Sequence, residues 1–408
     1  MAPAPHRSPH SRDRAGLLEN LQKADLSVCD KAAMFLQSSF WGAFKARFGW
    51  EALAFNVTWK SGTIGKKEVT PLLVLRRSLT TGFFGGRFLS LAYIPWGPEL
   101  PPELPVEMAA AFSGNNPPDD EVRWAALEEL AIALREQLPP NTIFIRFDPP
   151  WYTVEINTFP PERNRIITKA APPPFVRSGA DIQPPDTVLI DLTKPMESVM
   201  DQMKPKWRYN AKLALKKGVT VRCSGAEDIE IFYDLLKETA RRDGIAIHNM
   251  EYYRTLLEQG NSDPGSAFPF TPASLKVTLY LAEHEGDILA GIVTLFRGRE
   301  AVYLYGASSD KKRNLMAAYA LQVQAMNDAK AWGCEEYDLF GIAPDDNPDH
   351  PMAGLYRFKT GFGGRIIHRP GSRDYPCKPM VYRIFRAAET LRKNLRTMKK
   401  FFRKKEKK

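Results

Sequence analysis

Apolar residues recur along this chain with a period of about two in some stretches and about three to four in others. The places where one period gives way to the other mark out its elements. Phe35, Trp41 and Phe44 stand amid small residues, which predicts a helix, and residues 50–59 and 69–76 then alternate as a strand pair. Residues 87–93 predict another strand, closed by Pro95, Gly97 and Pro98. After a proline-rich insertion at 99–120, residues 121–137 (EVRWAALEELAIALREQ) have helical periodicity with acids early. Residues 142–147 predict a strand stopped at Asp148.

Prolines crowd residues 159–185, and a strand at 187–192 restarts the pattern. A helix over 196–217, ended by Gly218, leads to a strand at 219–223 and helices at 226–243 and 250–259. Two strands, 276–284 and 288–297, meet at the turn Glu285, Gly286, Asp287. Tyr303 and Tyr305 occupy alternate positions of the next strand and are therefore expected on one face. A long helix, a strand at 337–340 and the run Leu355, Tyr356, Phe358, Lys359 follow. Both halves read helix, helix, antiparallel strands, helix, strand. The repeat predicts an α/β (α+β) chain of two acyltransferase-like units of the GNAT type packed together. The expected division is a disordered extension over 1–25, a first unit over 26–184 (insertion 99–120, linker 159–185), a second unit over 186–368, a return segment over 369–391 and a basic tail over 392–408.

Charge sharpens the picture at one end only. Of a net +10, residues 392–408 carry +9, from ten basic residues and one Glu, so the tail is a local device and the body is near neutral. Leu395, Met398, Phe401 and Phe402 interleave with those cations at helical spacing, which suits an anionic membrane surface or an RNA backbone. Four cysteines, Cys29, Cys223, Cys334 and Cys377, lie far apart without metal-ligand spacing, so neither a disulfide framework nor a metal site is expected. A Pro-, His- and Arg-rich start without an apolar core is unlike a secretory signal, and no run of 18 apolar residues occurs. A cytoplasmic monomer is expected, with peripheral contact at the inner membrane surface left open.

Seven pieces carry a resemblance: QSSFWGAFK (37–45), IRFDP (145–149), LIDLTK (189–194), KPKWRYNAKLALKKGV (204–219), YLYGASS (303–309), DLFGI (338–342) and LYRFKTGFGG (355–364). In this order they resemble the FemABX family of aminoacyl-tRNA-dependent peptidyltransferases, which add amino acids to the stem peptide of peptidoglycan precursors. The resemblance covers roughly residues 30–370. It implies twin GNAT-like domains, aminoacyl-tRNA as donor, and UDP-MurNAc-pentapeptide or a lipid-linked precursor as acceptor. No long heptad-bearing arm is visible between Val219 and Ser274, so the chain looks like the compact, armless kind, which favours the soluble precursor.

Aminoacyl transfer from an ester to an amine needs a donor for the tetrahedral oxyanion, a route for the amine's proton and exclusion of water, but no metal or cofactor. Lys359 and Phe358 match the family's catalytic lysine and its neighbouring aromatic. Tyr303, Tyr305 and Tyr252 match substrate-site tyrosines, and Asp148, at the end of an apolar strand, could accept a proton or orient the amine and is read as a positioning residue. Lys45 matches the lysine that binds the nucleotide precursor. The family's partner arginine falls near Asn249, where this chain departs, leaving Arg242 or Arg254 as replacements. Lys204, Lys206, Arg208, Lys212 and Lys216 form a basic stretch without an acid, with Arg208, Lys212 and Lys216 recurring every four residues, assigned to the tRNA acceptor arm. Two other readings compete. An acyl-CoA-dependent GNAT enzyme would need a glycine-rich phosphate loop, and KKRNLMAAYA stands there instead. A non-catalytic RNA- or membrane-binding protein on the same scaffold would have no reason to keep Lys359 beside its aromatics.

Overall fold

The computed structural model describes residues 16–60, 66–79, 89–101, 119–155, 171–261 and 274–405. It opens with β1 (Leu18–Ala24), two short 3-10 turns and α1 (Ser39–Ala46), whose first turn is capped by the Ser38 hydroxyl accepting from Trp41 N. An antiparallel meander of β1, β2 (Glu51–Lys60), β3 (Lys67–Leu79) and β4 (Leu89–Ile94) follows. Helix α2 (Asp119–Gln137) then crosses over so that β5 (Thr142–Phe147) pairs parallel to β4. Val122, Leu127, Leu130 and Leu134 are the apolar face of α2, and they lie in one core with Val57, Leu72, Val74 and Ile145 of the sheet.

After β6 (Thr153–Val154), β7 (Val176–Arg177) and β8 (Asp186–Asp191), the second half repeats this plan. Helices α3 (Met196–Gln202) and α4 (Pro205–Lys216) precede β9 (Thr220–Ser224). Helices α5 (Ile229–Asp243) and α6 (Met250–Gln259) then lead to β10 (Leu275–His284), β11 (Asp287–Arg297) and β12 (Glu300–Ser308), which extend a meander from β9. The β10–β11 turn puts Glu285 and Gly286 at φ 50° and 80°, the paired left-handed residues of a tight hairpin. Helix α7 (Ala317–Trp332) crosses over, and β13 (Glu336–Asp338) pairs parallel to β12. Then come α8 (Ala353–Thr360), β14 (Arg365–His368), β15 (Arg373–Pro376) and α9 (Pro379–Lys405).

One sheet has the order β1-β2-β3-β4-β5-β15-β7, and the other β9-β10-β11-β12-β13-β8-β14-β6. Each is a meander, a crossover to a parallel strand, and an antiparallel strand beyond it: the α/β class with two GNAT-like units. The units also trade strands. β15, late in the chain, lies against β5 of the first sheet, and β6, early in the chain, closes an edge of the second. Between the sheets lies a shared core in which Phe35, Trp41, Phe44 and Leu73 meet Phe232, Tyr253, Leu279 and Leu295.

Several expectations need correction. The disordered extension over 1–25 is ordered from Leu18, because Leu18 and Leu21 pack against the first core and the Leu18 amide donates to Glu129 at 2.8 Å. The helix over 196–217 is two helices, since the residue before a proline is pushed out of the α region and Lys204, before Pro205, sits at ψ 140°. Part of the linker 159–185 is strand β7. Residues 369–391 and 392–408 are not separate pieces, because α9 runs through their boundary. Most of the 99–120 insertion lies outside the described residues.

Candidate active site

Strands β12 and β13 pair only as far as Val302 and Asp338, and beyond that point they part. A bulge at Leu304 bends β12 away, since Thr294 opposes Tyr303 and Val293 opposes Tyr305. Two residues of β12 therefore face one of β11, and the alternation slips. Tyr303 faces the α7 side and Tyr305 the core between the units, so the two tyrosines are on opposite faces of the sheet and not on one.

The opening between the parted strands is filled by Lys359. It sits on α8, is 5% exposed, and its Nζ donates to the carbonyls of Phe340 at 2.8 Å and Gly341 at 3.0 Å. The same nitrogen lies 5.0 Å from the centre of the Tyr303 ring. Burial pushes the ammonium down to about 7, and the charge of Asp338 opposes that shift. Two carbonyl oxygens and the negative face of a ring surround this nitrogen. Lys359 is thus a donor to both carbonyls, and a positive charge suits the ring face beside it. Phe358 is placed otherwise. Its ring packs against Tyr319 and Phe362, 5.3 and 5.1 Å away, and supports the helix from behind.

Helix α4, which carries the basic stretch, abuts the same place. Trp207 Nε1 donates to the Phe358 carbonyl at 2.7 Å, and the Lys204 amide donates to Gly361 O at 2.9 Å. Gly361 is required there, because a Cβ would fall 2.1 Å from the Trp207 ring. Lys204, Lys206, Lys212 and Lys216 are exposed, while Arg208 is half-buried and paired with Asp201 at 2.6 Å. Exposed Tyr209 stands among them, a surface that sequence reading did not single out. Lys204 also lines a cavity of about 590 Å³ with Tyr356 and Thr360 of α8.

A second cluster surrounds Lys45 at the end of α1. Its Nζ lies 5.5, 6.0 and 5.4 Å from the ring centres of Trp41, Trp50 and Tyr252. Burial lowers the ammonium to about 8, with Arg77 adding to the shift. Arg77 was missed because it lies on β3, remote in sequence; its guanidinium is 5.4 Å from the same Trp50 ring. Neither cation is recorded in an ion pair with a carboxylate among the described residues. Tyr252 reaches Tyr305, hydroxyl to hydroxyl, at 3.5 Å, and the His248 ring stacks on Tyr252 at 3.9 Å.

Other expected residues are placed elsewhere. Arg242 donates to Ser308 O at 2.8 Å and contacts Asp310 at 3.1 Å, so it is tied to the far end of β12 and does not reach Lys45. Arg254 lies 3.8 Å from Glu251. Asp148 is 3% exposed and accepts from the Tyr93 and Ser372 hydroxyls. Burial lifts it to about 6. Its hydrogen bonds tie the end of β5 to the chain before β15 and do not run to Lys359. A larger cleft of about 1060 Å³ opens at the opposite end of β12, lined by Met34, Arg297 and Glu300. None of the expected site residues lines it, and its pairs Arg299–Glu335 and Arg365–Glu336 satisfy each other. At the start of α7 the amides of Leu315, Met316 and Tyr319 donate to the carbonyls of Lys312, Arg313 and Met316.

A sequence model of the FemAB family matches residues 175–283 and 273–390. The chain belongs to the FemAB family. The family match holds Lys359, Tyr303, Tyr305, Tyr252 and the basic stretch of α4, while Lys45 and Asp148 lie before it. This FemAB chain is 25% identical over 253 residues to a lipid II:glycine glycyltransferase of Staphylococcus saprophyticus, covering 50% of the chain and 61% of that relative. It is 26% identical over 258 residues to the same-named protein of Staphylococcus haemolyticus, with the same coverage. The chain spans 61% of the length of these curated relatives. The crystal structure of FemX shares its fold, with a TM-score of 0.66 at 19% identity over 90% of this chain and 100% of FemX. Between β9 and β10 the described residues of this FemAB chain form helices of 15 and 10 residues and no long arm. No helix among the described residues is long and apolar enough to cross a membrane.

Proposed function

We propose that this chain transfers an aminoacyl group from a charged tRNA to an amine on the stem peptide of a peptidoglycan precursor. The observation that carries the reading is the seat of Lys359, a buried ammonium held by two carbonyls beside the Tyr303 ring at the opening between β12 and β13, with one N–H left over for an oxyanion. The neutral amine of the acceptor attacks the ester carbon, and the carbonyl oxygen becomes an oxyanion that the Lys359 ammonium stabilises. The C–O bond to the ribose then breaks as the new amide forms. The amine's proton leaves with the ribose oxygen as a hydroxyl, so no protein base is required. The exposed lysines of α4, against the back of α8, suit the phosphates of the tRNA acceptor arm, with Tyr209 able to stack on a base or ribose.

Lys45 and Arg77 suit the diphosphate of the precursor, since phosphate oxygens would supply the negative charge that no carboxylate supplies. Arg77 takes the place that sequence reading gave to Arg242. The names of the glycyltransferase relatives favour a lipid-linked acceptor over the soluble one, and α9 would hold the protein at the inner membrane surface. The test is to incubate the full chain with tRNAs charged with different radiolabelled amino acids and with soluble or lipid-linked precursor. The expected result is label in the precursor and a mass gain of one residue or more. Absence of transfer from every charged tRNA, or transfer from acetyl-CoA in its place, would overturn the reading.

A further inference from the structure

Asp338 is fully buried and has had no part in the chemistry so far. It is the last residue of β13, opposite Val302 in the final pair before the strands separate. Its Oδ1 accepts from the Thr187 hydroxyl on β8 and from the Phe340 amide at 2.7 Å. The second bond spans two residues and closes a tight turn in which Phe340 is held at φ 57°, a left-handed conformation that a bulky residue otherwise avoids. That turn aims the Phe340 and Gly341 carbonyls at Lys359 Nζ. The other oxygen, Oδ2, is buried with no hydrogen-bond partner recorded. A carboxylate left half-satisfied in a core is costly, and such a cost is retained where the charge has a use.

We propose that Asp338 is the positioning residue of this centre: it shapes the Phe340–Gly341 backbone that grips Lys359 and supplies the negative charge that keeps the ammonium protonated near neutral pH. The inference rests on the reading of Lys359 as the oxyanion donor. The groups that act on Asp338 are Arg369 and Lys359, which favour its charge, and Glu300, Glu336 and Tyr337, which oppose it. Lys359 faces Asp338, the Tyr303 ring and the two carbonyls. Burial raises Asp338 as it raises Glu300, which is lifted to about 8, but Asp338 has the Arg369 charge, the Thr187 hydroxyl, the Phe340 amide and the Lys359 charge to oppose the rise. A protonated Lys359 is the active form, so activity falls as pH rises through its pKa, and loss of the Asp338 charge moves that fall to lower pH.

Asp338→Asn keeps an oxygen for Thr187 and the Phe340 amide while removing the charge. Full-length protein carrying 13Cε-labelled lysine is titrated by NMR, with the Lys359 signal assigned by its absence in Lys359→Arg. The pH profile of kcat/KM for aminoacyl transfer is measured in parallel. The Lys359 midpoint is expected to fall by about one pH unit or more in Asp338→Asn, and the descending limb of the profile to move with it. Thr187→Val, which removes one donor from the carboxylate, should shift both in the same direction by less, and it decides the matter if Asp338→Asn does not fold. Unmoved midpoints would overturn the proposal. If the wild-type chain transfers no aminoacyl group, the functional reading fails, while the titration still tests the electrostatic link. If it transfers and the limb stays in place, this inference alone fails.

Discussion

The Tyr303 side chain folds back over Gly306, so closely that a Cβ on Gly306 would fall 1.9 Å from the Tyr303 hydroxyl oxygen. The bulge at Leu304 brings these two residues to one face, and the ring held there is the one that covers Lys359 Nζ. Gly306 is not in the left-handed region, so its role is space and not backbone freedom. Gly306→Ala should therefore push Tyr303 off the lysine. Transfer should fall about 100-fold, the cost of a misplacement near 1 Å, while overpacking lowers stability by about 1–3 kcal/mol. Kinetics alongside urea unfolding would check both, and an active Gly306→Ala variant would remove Tyr303 from the site.

Lys359→Ala should lower kcat by about 100- to 1000-fold with little change in KM, as expected for a donor that acts on the oxyanion alone. Lys359→Arg should not restore the rate, because a planar fork cannot fit where one nitrogen meets two carbonyls. In the wild type, activity should decline as pH rises through about 7, the value to which burial lowers Lys359. A Lys359→Ala profile that keeps the same descending limb would assign that limb to another group.

Substitution at Lys45 or Arg77 should raise KM for the precursor about tenfold or more and leave kcat nearly unchanged, since a charge-assisted phosphate bond contributes about 1.5–3 kcal/mol in ground and transition states alike. Arg242→Ala should alter KM much less, as its guanidinium is engaged at Ser308 and Asp310. If Lys45 binds the precursor as a cation, its ammonium being lowered to about 8, KM should rise as pH passes upward through that value. Steady-state kinetics of the three variants on one precursor separate the assignments.

What could be read from the chain and what could not differ for physical reasons. The β10–β11 hairpin and α2 were legible because a Glu-Gly turn and a three-to-four spacing are local signals. The bulge at Leu304 was not, since Tyr-Leu-Tyr has the alternation of a regular strand and the slip exists only in the pairing with β11. The grip on Lys359 was hidden for another reason: its acceptors are main-chain carbonyls, and a carbonyl leaves no mark in residue identity. Arg77 and Asp338 acquire their parts only when β3 and β13 are in place. Strand exchange between the units was equally silent, because β6, β7 and β15 are two to four residues long.

The first sheet should depend on the buried pair Arg146–Asp374, joined at 2.7 and 2.9 Å with Tyr382 donating to the same carboxylate at 2.8 Å. It ties β5 to β15 and α9, segments far apart in the chain. Asp374→Ala should cost about 3–5 kcal/mol because it strands the Arg146 charge, and Arg146→Met with Asp374→Leu should recover most of the loss. Equilibrium unfolding of the single and double variants would show it. A single variant as stable as the wild type would mean that water compensates Arg146.

The last helix should act by recruitment and not by chemistry. Its early turns are anchored by Tyr382 and Phe385, whose rings lie 5.4 and 5.3 Å from Phe144, and all proposed site residues precede it. Deleting residues 392–408 removes +9 of charge and none of these anchors, so the truncated chain should unfold at nearly the same temperature. It should also keep its activity on a small soluble acceptor with a short charged RNA. Activity on precursor embedded in anionic vesicles should fall, and raised salt should mimic that fall in the intact chain, since screening shortens the reach of exposed charge from about 8 Å at physiological ionic strength to about 3 Å at 1 M. Vesicle sedimentation of the two chains, set against a gel shift with tRNA, separates lipid from RNA as the partner. If truncation also abolishes activity on the small soluble acceptor, the end of this helix belongs to the catalytic fold.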